Sequence, residues 1–118
     1  MQNKNEIKLE KHGAIMLLDI EGDITAFSEP FLNEAYKNAN DDDAKRILLK
    51  VGDDCYINSG GIAVLIQILA QTKRNNQSIG IAGLSEHFKK IFNMVGITKF
   101  ASIHNTVEDG LEALSAGE

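Results

Sequence analysis

The chain has no tryptophan, one proline and one cysteine, and its aromatic residues are two tyrosines and five phenylalanines. With Cys55 alone, no intrachain disulfide can form, which fits a reducing compartment and sets the cytoplasm as the expected location. Basic residues are in deficit: 12 Lys and Arg against 17 Asp and Glu leave a net charge of −5. A nucleic-acid surface or an anionic-membrane surface would need a basic patch, so neither is expected and partners should be proteins. No basic-then-apolar leader opens the sequence, and no apolar run approaches the roughly 20 residues that span a bilayer. Membrane insertion is therefore not expected either.

What is present reads as one globular domain over residues 1–118, with 1–5 frayed and 115–118 as a tail; the apolar fraction of 43% and charged fraction of 25% are ordinary. Ile7 and Leu9 alternate with Lys8 and Glu10, a period of two that predicts a short edge strand. After a turn at Gly13, the apolar run 14–20 predicts a second strand, closing a hairpin. Ser28 and Pro30 announce a helix, with Ser28 as its cap and Phe31, Leu32, Ala35, Tyr36 and Ala39 on one apolar stripe. The acidic 41–43 run is expected to be a solvated connecting loop, with a recognition patch as the alternative.

Residues 47–51 are continuously apolar apart from Lys50, as in a central strand buried on both faces. A helix is expected from about 60 to 74, ended by Asn75-Asn76, followed by a strand at 78–82. Ser85 should cap a helix whose Phe88, Ile91, Phe92 and Val95 share a face before Gly96 stops it. A weak strand at 101–104 and a last helix, capped by Thr106 and carrying Val107, Leu111 and Leu114, complete the pattern. Strands alternating with helices after an opening hairpin predict an α/β layer structure with a mixed sheet of four or five strands.

The long helix after Gly61 has two apolar stripes. Ile62, Leu65, Ile66 and Leu69 form one, and Val64 with Ile68 lies nearly opposite. The second stripe is either buried under another element or exposed to dock a partner. Just ahead of that helix, Asn58 and Ser59 sit at the strand-to-helix passage, where Gly60-Gly61 would leave backbone N–H groups accessible. Either residue can serve as a plain helix cap. Ser59 can also be approached by another protein, and a phosphate added there would lie at the positive end of the helix.

Residues 56–65, Tyr-Ile-Asn-Ser-Gly-Gly-Ile-Ala-Val-Leu, resemble the signature loop and helix of the STAS family, in which an acidic residue, a phosphorylatable serine, a small residue and glycine precede an apolar helix. Residues 83–88 with 92–97 resemble that family's next helix, and Gly22-Asp23-Ile24-Thr25 its first loop. The likeness runs from about Ile7 to Leu114. It implies the role of the family's anti-sigma factor antagonists: the unmodified domain binds a serine-kinase anti-sigma factor, and phosphorylation by that kinase breaks the contact. Carried over, Ser59 is the phosphoacceptor, a serine phosphatase acts on phospho-Ser59, and Asp23, Ile24, Thr25, Asn58, Gly60, Gly61, Val64 and Ile68 make up the partner-binding surface. Two positions depart from the family, Asn58 and Thr25, each standing where an aspartate is usual. The alternative within the family is a subunit docking on a transporter ATPase of the lipid-transport type, or a signalling scaffold.

Enzyme chemistry finds no foothold. His12, His87 and His104 are scattered without a second ligand at metal spacing, and Cys55 reads as a small buried hydrophobe rather than a nucleophile. Asp53-Asp54 has some likeness to a receiver-domain pocket but does not follow the first core strand, and no phosphate-cradling glycine motif is present. No cofactor, metal or catalytic residue is called for. Binding of a small ligand at the strand-to-helix loop would need a pocket with convergent polar groups.

Overall fold

The computed structural model describes residues 5–116. Glu6–His12 (β1) and Ile15–Glu21 (β2) pair antiparallel, with Ile7 opposite Ile20 and Leu9 opposite Leu18. Gly13 and Ala14 make the turn. Gly13 has a φ of +62°, the value required at the first central position of a type II′ turn, whose twist matches that of the strands it joins.

Arg46–Lys50 (β3), Ser78–Ala82 (β4) and Ser102–His104 (β5) then join β2 in parallel, giving a five-stranded mixed sheet in the order β1-β2-β3-β4-β5. The apolar run at β3 is central, as its burial on both faces requires. Between successive strands lie the helices Glu29–Asp41 (α1), Ser59–Arg74 (α2) and Glu86–Met94 (α3), and Val107–Ser115 (α4) follows β5. Because each crossover advances the sheet by one strand in the same direction, crossovers of one hand place α1, α2 and α3 together on one face. Met16, Leu18, Ile20, Ile47 and Leu49 meet Leu32, Leu65, Leu69 and Phe92 there. On the other face Ile15, Leu17, Leu48 and Ala82 pack against Leu114 of α4.

Four expectations are corrected. Asn5 is not frayed: it is buried, and its Nδ2 donates to the carbonyls of Glu21 and Asp23, at 3.1 and 3.0 Å, stitching the start of β1 to the loop after β2. Ser28 does not cap α1 with its hydroxyl, which is 1% exposed and instead accepts from Thr25 N–H at 3.0 Å. A 3₁₀ turn at Ala26–Ser28 intervenes and takes the capping arrangement for itself. Val95 shares no buried face with Phe88 and Phe92, being 49% exposed past the end of α3. The tail expected from 115 begins later, since Ser115 closes α4; residues 1–4 and 117–118 lie outside the described range.

Candidate functional site

Two loops meet at the carboxyl ends of β2 and β3. Ile24 N–H donates to the Tyr56 carbonyl at 2.9 Å, and Asn58 N–H to the Ile24 carbonyl at 3.2 Å, so Ile24 and Ile57 form an isolated parallel bridge. Asp23 Oδ1 accepts from Tyr56 N–H at 3.1 Å, and Ser28 Oγ donates to the Asp23 carbonyl at 3.3 Å. Each loop therefore holds the other in place.

Gly61 explains the closeness of that contact. A Cβ built on it would lie 2.0 Å from the Ile24 carbonyl oxygen, inside any van der Waals limit, so only glycine admits the first loop here. Gly61 is accordingly buried rather than opening the backbone to a partner, and half-buried Gly60 lies against Ala26. The two glycines bring the loops together.

The cap of α2 belongs to Asn58. Its Oδ1 accepts from Gly61 N–H at 2.9 Å, and its carbonyl from Ile62 N–H at 2.9 Å. Ser59, one residue on, is exposed, and its hydroxyl makes no hydrogen bond among the described residues. The N–H groups of Ser59 and Gly60 likewise have no partner there, as expected of the first turn of a helix. A phosphate on Ser59 would meet free donors and the positive end of a 16-residue helix.

Several residues expected at the surface are inside. Ile24 is 0% exposed, Val64 5% and Ile68 2%, all in the core beneath the helical layer. Val64 and Ile68 are buried because they adjoin Gly61, Leu65, Leu69 and Thr72 on one continuous inner face of α2, while Ile62 and Ile66 lie half-buried at its margin. Val64 and Ile68 thus present no docking face, and Ile24 contributes its backbone alone. Asp23 and Thr25 remain half-exposed; Thr25 Oγ1 accepts from Phe27 N–H at 3.1 Å and so orients the 3₁₀ turn.

That turn points outward an apolar side chain that no helical or strand period in the sequence marks. Phe27 is 62% exposed, and Tyr56, across the bridge, is 58% exposed with its ring edge-on to Phe88 at 6.2 Å between centroids. The two aromatics stand on the two loops that frame Ser59. The one signal in the sequence was Phe27 isolated among small and polar residues, Thr25-Ala26 and Ser28-Glu29.

Next to the first loop, a hollow of about 420 Å³ is lined by Asp19, Asp23, Lys50, Asp54 and Cys55 among others. Lys50 is engaged by Asp19 at 3.6 Å, so the walls are net acidic and unsuited to phosphate. Cys55 is 8% exposed, and burial first, then the charges of Asp23 and Asp54, pushes its thiol up to about 11, which keeps it protonated and unreactive near neutrality. The histidines remain apart: His12 lies 3.7 Å from Glu10, His87 packs edge-on against Phe88, and His104 lies 2.7 Å from Ser102 Oγ.

Comparison with known proteins bears on the same arrangement. Residues 6–110 match the family model described as the STAS domain. The anti-sigma-B factor antagonist of Bacillus subtilis is 28% identical over 112 residues, covering 94% of this chain and 93% of that protein. The crystal structure of an anti-sigma factor antagonist from Mycobacterium paratuberculosis has the same fold, with a TM-score of 0.79 at 16% identity and 94% of both chains covered. The phosphorylated form of the Bacillus cell fate determinant SpoIIAA also shares it, with a TM-score of 0.65 at 12% identity over 92% of this chain and 98% of that one.

Proposed function

The chain belongs to the STAS domain family, and from that premise we propose that it is an anti-sigma factor antagonist switched at Ser59. Unmodified, it binds a serine-kinase anti-sigma factor through the exposed rim formed by Ser59, Phe27 and Tyr56, with Asp23, Thr25, Asn58 and Gly60 shaping the two loops. It acts in the cytoplasm by occupancy, with no catalytic chemistry of its own. Phosphorylation by the bound kinase adds roughly 1.5 to 2 negative charges at the spot a docking surface must desolvate, and the complex separates. A serine phosphatase resets the switch.

The observation that carries this reading is the division of labour at the start of α2: Asn58 fills the cap and leaves the Ser59 hydroxyl exposed and unbonded. A serine needed only for folding would have been the capping residue. The named relatives, an antagonist by sequence and antagonists by fold, support the partner class, and a phosphorylated form of one such fold is in keeping with the switch.

The test is incubation with ATP and the serine-kinase anti-sigma factor of the same organism, followed by mass-spectrometric mapping of phosphate. Incorporation at Ser59 is expected, with kinase binding weakened at least tenfold by Ser59→Asp and retained by Ser59→Ala. No incorporation, together with unchanged binding by both variants, removes the switch. Recovery of a membrane-transporter ATPase in its place, by pull-down, reassigns the partner.

A further inference from the structure

We propose that the outer edge of β1 is a self-association surface, on which a second copy of this chain adds its own β1 antiparallel about a two-fold axis at Leu9, joining the two sheets into one. The inference stands apart from the Ser59 reading and uses a different part of the molecule. β1 is the margin of the sheet: all seven of its residues pair with β2 on the inner side, and no described strand lies beyond it. None of those residues is a proline or forms a bulge, two devices that blunt an exposed edge; the third device, charge, is present in Glu6, Lys8, Glu10 and Lys11, but in two signs that can complement a second copy.

Backbone geometry says which residues face outward. The type II′ turn makes His12 and Ile15 a hydrogen-bonded pair, so residues 6, 8, 10 and 12 direct their N–H and C=O groups toward β2. Ile7, Leu9 and Lys11 therefore direct theirs outward, ready to pair. A two-fold axis perpendicular to the sheet keeps each side chain on its own face. Residues brought opposite each other must then be both odd or both even in number.

Only with Leu9 opposite Leu9 of the second copy does the whole strand pair. In that register Lys8 stands opposite Glu10 of the second copy, and Glu6 opposite its His12. These are non-hydrogen-bonded positions, where facing side chains approach most closely. By the two-fold, each contact occurs twice. Slipping by two residues in one direction sets Lys8 on Lys8 and Glu6 on Glu10; slipping in the other sets Glu10 on Glu10 and Lys8 on His12. Charge thus selects the register that also pairs the most backbone.

The charges are open to this use, the one contact among them being Glu10 with His12 at 3.7 Å. Glu6, Lys8, Glu10 and His12 are all exposed, and Lys8 and Glu6 make no ion pair among the described residues. On the helix side of the sheet, Ile7 and Leu9 are half-buried beside a groove of about 220 Å³ bordered by Phe31 and Glu34 of α1. Leu9 of the second copy would cover that apolar surface, and the alkyl stem of its Lys11 would lie over Ile7.

Sedimentation equilibrium of the full chain over a wide concentration range, at low and high salt, tests the proposal with E10K and K8E. Wild type is expected to show a concentration-dependent dimer that weakens with salt. Each charge reversal turns two attractive contacts repulsive, so E10K and K8E should each weaken dimerisation roughly tenfold or more. An equimolar mixture of the two variants restores opposite charges at both contacts and should dimerise where neither does alone. Circular dichroism checks folding; E10K, whose neighbour on β2 is Leu17, gives up only the exposed contact of Glu10 with His12 at 3.7 Å and decides alone if K8E does not fold. A wild type monomeric throughout, a dimer indifferent to E10K, or folded variants whose mixture stays monomeric each overturns the proposal.

Discussion

Asn58 and Ser59 are adjacent and both able to accept a hydrogen bond from a free helix N–H, yet only Asn58 does so and the Ser59 side chain stays exposed. Asn58→Ala removes the acceptor for Gly61 N–H and should cost about 1 kcal/mol in urea unfolding. Ser59→Ala removes no hydrogen bond and should stay within about 0.5 kcal/mol of wild type while abolishing phosphate uptake. Gly61→Ala is the severe change: a methyl 2.0 Å from the Ile24 carbonyl forces the two loops apart, and a loss of about 3 kcal/mol is expected, read from the same unfolding curves. Cys55 supplies a pH signature. Its folded thiol titrates near 11 rather than at its ordinary 9.0, so the native state holds the proton that the unfolded chain releases. The sign follows from linkage: the contribution is fully present below pH 9 and is lost as pH rises toward about 11. Wild type should lose stability over that window, by at most about 2 to 3 kcal/mol, and Cys55→Ala should not show the same decline.

At the scale of the element, α2 shows why a helical stripe is not yet a surface. Val64 and Ile68 lie to one side of Leu65 and Leu69 on the helix, and periodicity alone permits either a wide buried face or a docking face. The choice depends on neighbours: α2 leads to the strand next to β3 and packs against the sheet and α1, so Val64 and Ile68 are enclosed together with Leu65 and Leu69 while Ile62 and Ile66 stay half-buried. Ile68→Ala should therefore cost about 3 kcal/mol of stability, as deletion of a buried side chain does, whereas on an exposed face it would cost almost nothing. The reverse holds for the 3₁₀ turn and the 53–57 loop. Phe27→Ala and Tyr56→Ala should leave the unfolding midpoint nearly unchanged and weaken kinase binding tenfold or more in calorimetric titration, since exposed aromatics framing a contact point are the common anchors of interfaces.

Over the whole molecule, no helix among the described residues is long and apolar enough to cross a membrane. The net charge of −5 lies outside the edge strand β1, whose Glu6 and Glu10 are matched by Lys8 and Lys11. Much of this was legible beforehand. Period-two alternation at Ile7 and Leu9, the apolar run at 47–51 and the stripe of Leu32, Ala35, Tyr36 and Ala39 are local patterns, and local geometry alone converts them into strand or helix. The strand at 78–82 and the caps at Ser85 and Thr106 fall where the residues place them for the same reason. What the chain could not declare along its length concerns residues far apart that come together. That Asn5 reaches Asp23, 18 residues on, that Ile24 pairs with Ile57, and that Phe27 and Tyr56 stand on adjoining loops depend on segments far apart in the chain. By itself, the sequence determined the elements, their order and the candidate serine, because hydrogen bonding and side-chain periodicity act within a few residues. Only the tertiary structure decided that Asn58 caps while Ser59 stays free, and that Val64 and Ile68 are core, because burial and steric contact are properties of packed neighbours and not of position in the chain.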